Sequence, residues 1–103
     1  MTVFVDNPRK YKKRGKRWCH LFTDSVDLSE LHKFAIDRLH LKRQWFDNKR
    51  WPHYDITPEQ QFIALRRGAM FAGRLRMIQI AKPSVYAKIT GIDPMLDKKT
   101  ISD

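Results

Sequence analysis

The sequence predicts an α/β fold: a small, mainly parallel sheet with flanking helices in a single compact domain. Three observations carry that expectation. The segment 2–6 is apolar and β-branched, Leu28 to Leu39 repeats its apolar residues at helical spacing, and Thr57-Pro58 opens a second helix after a polar loop. Short strand-like and helix-like segments in alternation are the pattern of helices packed on a sheet. A chain of 103 residues holds one core.

Thr2 to Asp6, with Val3, Phe4 and Val5 at its centre, reads as a short buried first strand ending at an acid. Residues 9–17 carry seven basic side chains in nine positions, and Pro8 and Gly15 discourage regular structure, so this stretch is expected as an exposed loop. Asp27 and Glu30 fit a capping pattern, and Val26 with Leu31 fits a hydrophobic staple. A first helix is therefore expected from there to about His40, burying Leu28, Leu31, Ala35 and Leu39 and exposing Glu30, Lys33 and Asp37.

Leu41 to Phe46 is short and aromatic and reads as a second strand. Residues 47–55 are polar, contain Pro52 and read as a connecting loop. Thr57, Pro58 and Gln60 supply an N-cap hydroxyl, a first-turn proline and the far half of a capping box. That second helix stops at Gly68, because carrying it further would spread Phe62, Ile63, Leu65, Met70, Phe71 and Leu75 around its whole circumference. Arg74 to Ile80 fits a strand or a short helix equally. The organisation expected is a basic α/β domain over 1–82 and a loosely held C-terminal extension over 83–103.

Twenty-one Lys and Arg against eleven Asp and Glu give a formal charge of +10. Such an excess attracts polyanions, of which nucleic acid is the commonest. Cys19 is the only cysteine, which excludes an intrachain disulfide and a paired-thiol metal site and fits a reducing, cytoplasmic setting. The N-terminus lacks the apolar centre of a signal peptide, and no apolar stretch approaches the roughly 20 residues that span a bilayer. A soluble protein with no membrane partner is expected.

The ordered motifs Thr2-Val3-Phe4-Val5-Asp6, Trp18-Cys19-His20-Leu21-Phe22, Glu30-Leu31-His32, Trp45-Phe46 and His53-Tyr54-Asp55 resemble those of the family called domain of unknown function 4031, small proteins of bacteria and their phages. The resemblance covers about residues 1–70. It brings no activity with it. The basic loop is denser here than in the family's usual pattern, and the stretch after Gly68 departs from it.

In open α/β sheets, ligands sit beyond the carboxyl ends of strands, where loops converge. If the first two strands are parallel neighbours, Asp6, Asn7 and Trp18-Cys19-His20 meet Asp47 and His53-Tyr54-Asp55 at one edge. Asp6, His20, His53 and Asp55 are then candidate catalytic residues. Imidazole and carboxylate together suit a divalent metal such as zinc or manganese, which would activate water for phosphodiester hydrolysis. His20 paired with Asp24 or Asp55 would instead serve as a general acid or base. The structural alternative is that Asp6 caps a turn, His20 is hydrogen-bonded and half-buried, and His53-Tyr54-Asp55 braces the second helix. His32 and His40 read as surface or boundary residues and Cys19 as an inert small hydrophobe.

The basic loop supports a binding function. Arg9, Lys10, Lys12, Lys13, Arg14, Lys16 and Arg17 would neutralise phosphates, with Tyr11, and also Trp18 and Trp51, stacking on exposed bases. A third reading, a phage-type protein docking on an acidic host protein, uses the same charged surface without catalysis. No recognition helix or zinc-finger pattern supports sequence-specific readout.

Overall fold

The computed structural model describes residues 2–10 and 15–93. The first strand forms where the β-branched run predicts it, as β1 (Val3–Val5). The basic segment then doubles back: β2 (Arg9–Lys10) pairs antiparallel with the start of β3 (Arg17–Thr23), placing Arg9 opposite Trp18 and Lys10 opposite Arg17. What reads as a loop is thus, at both described ends, a ribbon; Tyr11, Lys12, Lys13 and Arg14 lie outside the described residues.

This return decides the sheet. A parallel pair needs a long crossover, whereas a chain that turns back on itself pairs antiparallel. β3 accordingly runs antiparallel to β1, with Phe4 opposite Phe22, and antiparallel to β5 (His53–Ile56), with His20 opposite Asp55. β4 (Phe46–Asp47) pairs antiparallel with β5. Among the described residues only β6 (Met70–Phe71), reached after the second helix, lies parallel to its neighbour, β1. The order is β4-β5-β3-β1-β6, so the sheet is mixed and mostly antiparallel rather than mainly parallel.

Two expected boundaries move for local reasons. The helix α1 (Ser29–Lys33) has Leu28 at its N-cap, while Asp27 accepts from the Ser29 N–H one position earlier and Val26 is fully exposed, so no staple forms. α1 continues as a π-helical turn over Phe34–Arg38 and ends at His40, whose φ of 55° is left-handed. Leu31, Ala35 and Leu39 are nevertheless buried together, as their spacing requires. Of the expected strand at 41–46, Arg43–Trp45 forms a 3₁₀ turn and only Phe46 belongs to a strand. The end of the expected loop 47–55 is a strand, because Tyr54 and Ile56 reach the core while His53 and Asp55 find polar partners on the other face.

α2 (Pro58–Arg66) has the full capping box: Thr57 Oγ1 accepts from the Gln60 N–H at 3.2 Å, and Gln60 Oε1 accepts from the Thr57 N–H at 2.9 Å. The chain leaves α2 through Gly68, whose φ of 114° is open to glycine and strained for other residues. Arg74–Ala81 forms the helix α3, and Pro83–Thr90 forms α4. The expected extension is anchored over this stretch, since the Tyr86 side chain is fully buried; residues 94–103 lie outside the described ones.

The sheet is covered on both faces. Val3, Val5, Cys19, Leu21, Tyr54 and Ile56 meet α1 and α2 through Leu31, Ala35 and Ala64. On the other face Phe4, Phe22 and Trp51 meet Met77, Ile78 and Tyr86 of α3 and α4. Among the described residues, no helix is long and apolar enough to cross a membrane.

Candidate functional site

Side chains alternate between faces along a strand, and residues directly opposite in neighbouring strands share a face. The face that carries Phe4 and Phe22 therefore also carries Asp6, His20 and Asp55 as one row across three strands, with His53 one step along β5 from that row. Opposite His53 on β4 is Asp47, on the same face. The apolar half of this face lies in the core cluster with α3 and α4, and the polar half forms the site.

Asp6 is buried, and both its carboxylate oxygens face His20. Oδ1 accepts from the His20 backbone N–H at 2.6 Å, and Oδ2 accepts from Nδ1 at 2.7 Å. The Asp6 backbone carbonyl accepts from Gln61 Nε2 of α2 at 2.9 Å, which fixes the acid from behind. His53 Nδ1 lies 2.9 Å from the Trp51 carbonyl oxygen, an acceptor only, so Nδ1 carries the proton. In both histidines Nδ1 is thus the protonated nitrogen of the neutral ring, and Nε2 carries the lone pair.

His53 Nε2 lies 3.5 Å from Asp55 Oδ1 and 3.9 Å from Asp47 Oδ2. Burial pushes the His53 imidazole toward the neutral form, but the hydrogen bonds to Asp55 and the Trp51 carbonyl and the negative charges of Asp55 and Asp47 outweigh it and hold its pKa above the ordinary 6.5. The two rings meet edge to face at 4.9 Å between centroids. Trp51 stacks on His53 at 4.4 Å and edges onto His20 at 4.9 Å.

One ligand atom from each of His20, His53 and Asp55 lies within 4.8 Å of the others. Two imidazoles and a carboxylate suit zinc, manganese or iron. At metal–nitrogen distances of about 2.0–2.1 Å, tetrahedral donors stand about 3.4 Å apart, so the side chains must draw in by somewhat over ~1 Å to close this set on an ion. The protonated Nδ1 atoms, one on a carboxylate and one on a backbone carbonyl, are the outer hydrogen bonds that metal-binding histidines use to fix ring orientation and tautomer.

The structure thus brings Asp6, His20, His53 and Asp55 to one face, with Asp6 behind His20 and outside the three-residue set. Asp47, which the sequence puts near the crevice without a role, stands opposite His53 in register and so adds a carboxylate there. Trp51, expected to stack on bases, is buried and is instead the wall of the site and the acceptor for His53. The signal for this role is its position two residues before His53, across Pro52. His32 belongs to a separate cluster, with Nδ1 2.8 Å from the Tyr54 hydroxyl oxygen. Cys19 is buried on the opposite face, and its thiol is pushed up to about 12 by burial and then by Asp6 and Asp55.

The described part of the basic ribbon adjoins the site. Arg9 lies opposite Trp18, and Trp18 is two residues before His20, so Arg9 and Trp18 share the site's face about 7 Å farther along β3. Lys10, Lys16 and Arg17 are exposed.

Comparison with curated proteins found no match, and comparison with solved structures found none either. A family does match, over residues 3–84, which carries the likeness past Gly68 through β6 and α3 into the start of α4: the chain belongs to the family described as Protein of unknown function (DUF4031).

Proposed function

We propose that this protein is a divalent-metal-dependent phosphodiester hydrolase acting on nucleic acid. The observation that carries the reading is the gathering of His20, His53 and Asp55 within 4.8 Å, with both imidazoles pinned through Nδ1. A divalent cation held there would acidify water and polarise a phosphoryl oxygen. His20, His53 and Asp55 bind the cation, and Asp6 and the Trp51 carbonyl keep the rings aimed. Asp47, more exposed than Asp55, accepts the proton of the attacking water. The water oxygen forms the new P–O bond as the bond to the departing sugar oxygen breaks, and that oxygen leaves with the electron pair and takes a proton from solvent. Arg9, on the site's face, and the exposed Lys10, Lys16 and Arg17 of the same ribbon draw the polyanion toward this part of the sheet.

The test is calorimetric titration of the intact protein with Mn²⁺ and with Zn²⁺, beside cleavage of an end-labelled oligonucleotide with and without chelator. One metal should bind at a single site, and cleavage should vanish with chelator and in the His53→Ala variant. A folded wild-type protein that binds neither metal overturns the reading.

A further inference from the structure

A cleft of about 590 Å³ opens beside the His20–His53–Asp55 group, and Asp47 and Asp55 belong to its walls. The other walls come from three separate places: Trp18 of β3, the turn and loop carrying Gln44, Trp45, Phe46, Asn48 and Lys49, and the first turn of α2 with Gln60. Trp45 is half exposed, with a relative exposure of 51%, although it is among the largest apolar side chains of the molecule. Lys42 Nζ stands 5.5 Å from its ring centre. The cleft therefore combines an accessible indole, amide side chains able to donate and accept, and cations at the rim. Its size lies within the range of about 300–1,000 Å³ that small ligands occupy.

We propose that this cleft receives one base of a single-stranded polynucleotide, stacked on Trp45, and so sets the adjoining phosphodiester at the metal site; this rests on the hydrolase reading above. Four arguments select that occupant. The cleft shares Asp55 with the candidate metal site and is walled by Asp47 as well, so a base seated in it has its phosphate within reach of the chemistry. The chain carries a formal charge of +10, Lys49 lines the cleft and Lys42 stands over the Trp45 ring, adding cations to those of the β2–β3 ribbon. An aromatic face takes any base by stacking, whereas a base inside a duplex has both faces covered and must first leave the stack. Gln44 and Asn48 present the hydrogen-bonding groups that the base's edge requires.

The experiment measures binding of a fluorescent single-stranded oligonucleotide, as DNA and as RNA, to the full chain in the presence of Mn²⁺. The same oligonucleotide carrying abasic positions, and its duplex, serve as comparison probes. Trp45→Ala should weaken binding of the single strand by about 5- to 100-fold, the range for removing one stacking platform. It should leave the affinity for the abasic strand and for Mn²⁺ alone unchanged, and Trp45→Phe should recover part of the loss. Duplex binding should be weaker than single-strand binding and indifferent to Trp45. The DNA and RNA arms identify which sugar the cleft accepts.

Equal losses on the abasic and the intact strand, or no loss on the intact strand, overturn the base-binding proposal while Mn²⁺ titration leaves the metal site standing. Failure of wild type to bind metal, with the Trp45 dependence preserved, overturns the hydrolase reading and keeps the cleft as a base-binding site.

Discussion

Asp6 holds His20 by two bonds at once, one to its backbone N–H at 2.6 Å and one to its ring Nδ1 at 2.7 Å. The carboxylate therefore fixes both the position of β3 at this residue and the rotation of the imidazole. Asp6→Asn keeps a carbonyl acceptor for one of these bonds and loses the other. Metal affinity should drop about 10- to 100-fold, the usual cost of losing an outer hydrogen bond to a ligating histidine. Calorimetric titration reads the affinity and circular dichroism the fold; a folded Asp6→Asn variant that binds metal as wild type does would remove Asp6 from the positioning role.

His53 and His32 shift in opposite directions, which gives opposite pH dependences of stability in metal-free buffer. The raised pKa of His53 contributes stability that is complete below the unfolded value near 6.5 and is lost as pH rises through the folded value. Burial first, and then Arg43, lower the pKa of His32, so its contribution is complete above 6.5 and is lost as pH falls toward the folded value. Urea melts at several pH values should show the stability difference between wild type and His53→Gln widening as pH falls toward 6.5 and constant below it, and that for His32→Gln constant above pH 6.5 and narrowing below it. Differences that do not move with pH would contradict both assignments.

Thr57→Ala leaves the Gln60 N–H at the start of α2 without its side-chain acceptor and should cost about 1 kcal/mol. Because α2 also presents Gln61 to the Asp6 carbonyl, the melt should be read beside metal affinity. A loss of stability with metal affinity retained is expected, since the cap touches the ligating atoms only indirectly, through Gln61 and Asp6. An unchanged midpoint would show that the helix start does not depend on this box.

Cys19 is enclosed between strands, and its thiol is pushed up to about 12. The thiolate is the reactive form, so a thiol-specific reagent at neutral pH should label the native protein very slowly and the urea-unfolded protein promptly. Rapid labelling of folded protein would mean that β3 opens at its centre.

Replacing Arg9 and Lys10 by Ala should flatten the salt dependence of single-strand binding by about 0.7 in log–log slope for each phosphate no longer neutralised. Affinity should fall alike for unrelated sequences, because backbone phosphates carry no sequence information. A slope unchanged by both substitutions would place the polyanion elsewhere on the surface.

The helix α2 is legible in the sequence because its start is written in three nearby residue choices, Thr57, Pro58 and Gln60, whose roles are local. β1 is legible from Val3-Phe4-Val5 for the same reason. The central strand β3 is not, although it is the longest of the described strands: Leu21, Phe22 and Thr23 are all buried because helices cover both faces of the sheet, so the alternation that marks a half-exposed strand is missing there. His53-Tyr54-Asp55 reads as loop because its polarity looks costly to bury, and that cost is met by partners from β4 and from the Trp51 backbone. The convergence of Asp6, His20, His53 and Asp55 follows in the sequence reading from a parallel arrangement of strands, yet it arises from antiparallel register, which places residues from distant segments opposite one another with no crossover.

Trp51 belongs to two environments at once. Its ring packs edge-on against Phe22 at 5.5 Å within the cluster that α3 and α4 cover, and its carbonyl sets which nitrogen of His53 is protonated. The tautomer at the candidate site is thereby inherited from the interior. Any drift in sequence that repacks Phe4, Phe22 or Tyr86 moves this indole, and with it the imidazole stacked upon it, so substitutions that never touch the site can still retune its chemistry.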